Sequence, residues 1–157
     1  MTPSNTDQIA DRVREHSPST FNKAIDRETE GRLLRYAAMG EEGITRQIEE
    51  LEKEWDMERL LETNASTLTV AAMAAFGLTR NKKWLFVPGF VMSFFFQHAV
   101  QGWCPPVPVF RRAGVRTRQE IEREKYALKV LRGDFNDLGA YENEGEITEK
   151  ALRAVAR

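Results

Sequence analysis

The chain has 157 residues, is 41% hydrophobic and 30% charged, and carries 23 Lys and Arg against 24 Asp and Glu. That length suits one domain, or one small domain with tails, and a mean hydropathy of −0.51 excludes a protein that is mostly embedded in lipid. A net charge of −1 excludes a general affinity for nucleic acid, and the basic residues are not interleaved with aromatics, so no nucleic-acid partner is expected.

In chain order, Ser4–Asp7 offers a cap for a short helix with Ile9 and Val13 on one face. Ser17-Pro18-Ser19-Thr20 is a second start signal, followed by Phe21 and Ile25 at i, i+4. Gly40 and Gly43 are expected to break or bend the pattern. Ile44, Ile48, Leu51 and Trp55 then recur among Glu, Lys and Arg, which predicts an amphipathic helix running on through Leu60 and Leu61. These first 62 residues form a charged helical arm with fifteen acids and nine bases.

Two charge-free stretches follow. Thr63–Thr79 has 17 residues and Trp84–Phe110 has 27, with His98 taken as neutral. As helices at about 1.5 Å per residue, Thr63–Thr79 would span about 25 Å and Trp84–Trp103 about 30 Å. A hydrocarbon core is about 30 Å thick, so the second segment is long enough and the first is short. Between residues 80 and 118 there are seven bases (Arg80, Lys82, Lys83, Arg111, Arg112, Arg116 and Arg118) and no acid. They lie only at the ends of the apolar run, and Trp84 and Trp103 bracket it as interfacial anchors do. The reading is a two-helix hairpin over 63–117, membrane-inserted or half-inserted, with Arg80–Lys83 as its tip. The competing reading is a soluble helical interaction domain whose core is the hairpin.

The start, Met1–Glu15, is polar and has no early apolar stretch, so no secretory signal is expected. Insertion would use the internal hairpin and leave both termini on one side. The bases following the hairpin tilt that side to the cytoplasm, against the pull of the three at the tip.

After the hairpin, Cys104-Pro105-Pro106-Val107-Pro108 should not continue a helix. Thr117-Arg118-Gln119-Glu120 is a capping box that opens a helix with Ile121, Leu128 and Leu131, closed by Gly133. Thr148–Val155 hints at one more helix in the polar tail. The expected fold is all-α, in three consecutive blocks over 1–62, 63–117 and 118–157.

Searches for chemistry find little. No Gly-rich phosphate loop, HExxH, GxSxG or CxxC is present, and the Glu-rich 41–62 stretch reads as a solvated helix face, so no enzyme, metal or cofactor is expected. Cys104 is the single cysteine. The negative end of a helix dipole disfavours its thiolate while Arg111 and Arg112 favour it, which leaves a thiol- or sulfur-handling role open. Ser93, Gln97 and Gln101 recur at i, i+4, i+8 beside His98. This polar stripe is either a ligand path or a set of interhelical hydrogen bonds to Thr67, Thr69 or a second copy. Thr67, Ala71 and Ala75 form one row of small residues, Gly89 and Ser93 another, and both suit close helix packing.

Gly102-Trp103-Cys104-Pro105, with Gly114-Val115-Arg116-Thr117 beyond it, resembles the YgaP-like small inner-membrane domain, a two-helix hairpin that ends in Gly-Trp-Cys-Pro. The likeness covers roughly 54–117. It implies a helical, oligomeric protein of the bacterial inner membrane, from a family largely without assigned function. It carries no sulfurtransferase activity, because nothing in 1–62 or 118–157 could form a rhodanese domain. The function expected from the sequence is a non-enzymatic hairpin protein that binds lipid, self-associates and presents helices to cytoplasmic protein partners.

Overall fold

The computed structural model describes residues 11–136 and 144–156, and the expected Ser4–Asp7 cap with Ile9 lies outside them. Among the described residues the fold is all-α, without strands. They divide into two compact units, each discontinuous in sequence: 11–26 with 55–120, and 27–54 with 121–136 and 144–156. The boundaries expected at 62 and 117 follow charge along the chain. The units follow which apolar stripes meet.

The first unit begins with α1 (Arg12–Glu15), where Asp11 Oδ1 accepts from the N–H groups of Val13 and Arg14 at 3.1 Å each. The first part of α2 (Ser19–Ala37) belongs here, and α2 starts within the expected Ser-Pro-Ser-Thr signal. Then comes α4 (Met57–Thr79), capped by Asp56, whose Oδ1 accepts from Arg59 N–H at 2.7 Å. A 3-10 turn (Lys82–Leu85) leads into α5 (Phe86–Gln101), which packs against α4 to make the hairpin. Gly102 ends α5 at φ 73°, and a Cβ there would lie 2.4 Å from the Cβ of Arg12. Both the left-handed backbone and the close approach therefore require glycine. The core of this unit is Val13, Met57, Leu61, Cys104 and Val107, with Phe94, Phe95, Phe110 and Val115 packed around it.

The second unit is built from the rest of α2, α3 (Gly40–Lys53), α7 (Arg118–Arg132) from Ile121 onward, and α8 (Glu144–Ala156). Ile44, Ile48 and Leu51 of α3 pack with Ile121 and Leu128 of α7, flanked by Leu33 and Tyr36. Each such side chain contributes about 1.5–3 kcal/mol by leaving water. At their centre the fully buried Glu124 accepts from Arg32 Nε at 3.0 Å and from Arg32 Nη2 at 2.9 Å.

Four expectations change. The amphipathic helix stops at Lys53, so Trp55 lies outside it, and Leu60 and Leu61 belong to a new helix capped by Asp56. Gly43 does not break α3 but lies buried inside it. The proline stretch restarts a helix at once as α6 (Val107–Arg112), because proline is tolerated in a first turn, where no intrahelical N–H bond is lost. The second apolar segment is α-helical only over Phe86–Gln101, with Trp84 in the 3-10 turn and Trp103 beyond the glycine cap. Consequently no helix among the described residues is long and apolar enough to cross a membrane. Helix α5 has 16 residues, and α4 is diluted by Asn64, Ser66, Thr67 and Thr69. The capping box is present: Thr117 N–H donates to Glu120 Oε2 at 2.9 Å, and Glu120 N–H donates to Thr117 Oγ1 at 3.2 Å.

Candidate functional site: the apolar hairpin and its base

The hairpin is an exposed structure. Helix α5 has no polar face over Phe86–Phe96 except Ser93, so no rotation about its axis could hide its apolar side chains from water. Phe86, Phe90 and Phe96 are 78%, 68% and 71% exposed, and on α4 Leu78 is 87% exposed. Val70, Leu68, Met73, Met92 and Val100 are exposed as well. The buried positions of α4 beyond Leu61 are Ala65 and Ala72. Of the small-residue rows, Thr67, Ala71 and Gly89 are exposed and Ala75 is half-buried, so these rows are largely free for another surface.

The polar stripe bonds within its own helix. Ser93 Oγ donates to Gly89 O at 2.8 Å, and Gln97 Nε2 donates to Gln101 Oε1 at 3.4 Å. His98 is buried, and its Nδ1 has no hydrogen-bond partner among the described residues, nor does the buried Thr69 Oγ1. The stripe does not lead to an open thiol. Cys104 is 3% exposed inside the core cluster, and burial pushes its thiol up, only partly offset by the Val107 N–H. Trp103 is half-buried and Trp84 exposed.

At the hairpin's base a buried ionic network replaces the free positive flank read from the sequence. Arg111 donates to both oxygens of Glu120, at 2.6 and 2.9 Å, and to Asn22 Oδ1 at 2.6 Å. Arg14 binds Glu120 from the other side and reaches Asp26 at 2.9 Å. Burial works against the Glu120 carboxylate, but the hydrogen bonds from Arg111 and Thr117 outweigh it and hold the group below its ordinary value. Arg116 is buried too, leaving Arg112 and Arg118 as the exposed cations of this end. Only the capping box made Glu120 legible in the sequence. Its partner Arg14 lies 106 residues away and Arg111 nine residues away on a different helix, and no local pattern announces either.

Beside the network, a cavity of about 270 Å³ is lined by Asp11, Arg12, Glu58, Glu62, Phe95 and His98 among others. Arg12 Nη1 donates to Ala99 O at 2.6 Å, placing a cation on the negative end of α5. Burial, with Asp56 and Asp11 nearby, raises the Glu58 carboxyl above its ordinary value. No group of three or more His, Cys, Asp or Glu among the described residues could hold a metal.

The tip differs from the base. Arg80, Lys82 and Lys83 are exposed and make no ion pair among the described residues. Arg80 closes α4 at φ 54°, the one non-glycine residue described with positive φ. The turn is fixed by Arg80 N–H donating to Phe76 O at 2.8 Å and by Asn81 Oδ1 accepting from Lys83 N–H at 3.0 Å.

Comparison with protein-family models, with curated proteins and with solved structures finds no match to this chain.

Proposed function

We propose that this chain is a non-enzymatic membrane-associated hairpin protein. Helices α4 and α5 enter a bilayer together, self-associate through their exposed small residues, and leave the charged helices of the second unit outside the lipid to meet protein partners. One observation carries the reading: both helices of the hairpin expose large apolar side chains, Leu68, Val70, Met73 and Leu78 on α4 and Phe86, Phe90, Met92 and Phe96 on α5, and contiguous exposed apolar surface marks a site of association. Lipid supplies the missing cover most simply, since a helix apolar all round is either deeply buried or in a membrane.

The seat is proposed for the pair with its 3-10 turn. The 16 residues of α5 give about 24 Å, and the four of the turn add about 8 Å. The charge-free part of α4 is shorter, and local thinning of the bilayer accommodates it. Each cation of the tip would cost about 2.5–3.5 kcal/mol at the bilayer centre, so the tip belongs in a headgroup layer. The likeness of Gly102–Thr117 to the inner-membrane domain points the same way, with a bacterial inner membrane as the proposed location.

The thiol-handling alternative has less support, because Cys104 is a core residue with a raised pKa. A soluble domain with the hairpin as core is not favoured either, because the hairpin joins a buried cluster only through Met57, Leu61, Phe94 and Phe95, while Leu68, Val70, Leu78, Phe86, Phe90 and Phe96 stay exposed. Fractionation of cells expressing the full chain is the test. The protein is expected in the membrane pellet after carbonate extraction, and recovery wholly in the aqueous fraction without detergent refutes the proposal.

A further inference from the structure

Two features that the hairpin does not need for anchoring occur at the same end of it. One is the cation cluster of Arg80, Lys82 and Lys83, displayed on a turn whose geometry is fixed by backbone hydrogen bonds and the Asn81 cap. A left-handed backbone favours glycine, yet position 80 carries Arg, so a cation occupies the place where the backbone least favours a side chain. The other is a shallow groove of about 560 Å³ along the start of α5, lined by Leu85, Phe86, Gly89, Phe90 and Ser93 among others. The groove is apolar, and Gly89 forms part of it without steric need, since a Cβ there would meet nothing within 4 Å.

We infer that the hairpin tip is a binding site for an anionic phospholipid. The groove takes an acyl chain, and Arg80, Lys82 and Lys83 take the headgroup phosphate. Charge decides the class of lipid: the tip presents three unpaired cations, and the sequence has no acid anywhere between 63 and 118 to offset them. The base is the weaker site for an anion, because Glu120 occupies Arg111, Arg116 is buried, and Glu58 and Glu62 lie nearby. Trp84, directly after Lys83, completes the pattern of cation and interfacial aromatic that marks a headgroup layer.

The inference rests on the membrane reading, and flotation of the full chain with vesicles separates the two. Vesicles of phosphatidylcholine alone are compared with vesicles that also contain phosphatidylglycerol. Each cation near an anionic surface is worth about five-fold in partitioning, so the wild type should prefer the anionic vesicles by about a hundred-fold at low salt. Arg80→Gln/Lys82→Gln/Lys83→Gln should remove that preference and retain binding to phosphatidylcholine. Arg112→Gln/Arg118→Gln, at the base, should keep it. Equal binding to both vesicles, or a preference that survives in the triple variant, overturns the lipid site and leaves the membrane reading intact. Binding to neither overturns the membrane reading and the lipid site with it. Native mass spectrometry of the full chain from mild detergent, loaded with equal amounts of both lipids, tests the groove. Phosphatidylglycerol should be retained selectively by wild type and lost from Gly89→Leu, and unchanged retention in that variant overturns the groove as the chain's seat.

Discussion

Helices α3 and α5 have 14 and 16 residues and treat their apolar side chains in opposite ways. Helix α3 is half charged, and its Ile44, Ile48 and Leu51 are 2–3% exposed against their own unit. Helix α5 is mostly apolar, and its phenylalanines at 86, 90 and 96 point outward. The amphipathic helix finds its cover inside the chain because one stripe needs only one neighbour. The helix without a polar face would need neighbours on every side, and in this chain it has chiefly α4. Apolar content by itself therefore does not identify the core. What counts is whether the rest of the chain can surround it.

This contrast predicts where substitutions should hurt. The largest effect falls on the buried ionic network at the hairpin's base. Glu120→Ala leaves the fully buried Arg111 without its carboxylate and should cost about 3–5 kcal/mol in chemical denaturation. The same group sets the acid limit. Its native pKa lies below the ordinary carboxylate value, so its contribution is complete above that value and is lost as pH falls through the native one. Wild type should lose stability on acidification below about pH 4.5 more steeply than Glu120→Gln does; parallel profiles would remove Glu120 from this role. Next comes Ile48→Ala in α3, expected to cost about 2–4 kcal/mol by opening a cavity in a closed core. An Ile48→Ala cost below about 1 kcal/mol would erase the contrast with α5.

How much of this was legible in the sequence differs between the two helices for the same physical reason. The stripe of α3 is periodic, so its buried residues could be named from spacing alone, and the Thr117–Glu120 cap is likewise a local signal. The hairpin's existence and its tip were legible from charge, because seven bases bracket a stretch without acids. Three things were not. The pairing of α3 with α7 joins segments on either side of the hairpin, and no local pattern records it. The capture of Arg111 by Glu120 and Asn22 turned an apparent surface cation into a buried one. The restart of the helix within the proline stretch depends on Pro106 falling at the cap and Pro108 in the first turn, which composition does not tell from a loop.

A smaller effect is expected at the tip. Arg80→Gly relieves a left-handed backbone, worth about 1 kcal/mol, and loses a cation at the end of α4, worth about 0.5 kcal/mol. The net should be a gain of about 0.5 kcal/mol in thermal stability, together with weaker binding to anionic vesicles. A residue kept for stability would show the opposite sign. Melting curves and flotation on the same variant decide between these.

The smallest effect on stability should accompany a large effect on location, and Leu78→Ser separates the two. Leu78 is 87% exposed near the end of α4, so it has little packing to lose, and the change in unfolding free energy in detergent should stay within about 0.5 kcal/mol of zero. In water, replacing an exposed leucine by serine is nearly free and improves solubility. In lipid the same change removes about 1.5–3 kcal/mol of apolar burial, about ten- to a hundred-fold in partitioning, and adds a hydroxyl to be satisfied. Vesicle flotation at matched stability therefore distinguishes an exposed leucine that is merely tolerated from one that has lipid as its solvent. An unchanged partition for Leu78→Ser would mean that this part of α4 does not enter the bilayer, and that α5 inserts without its partner's last turn.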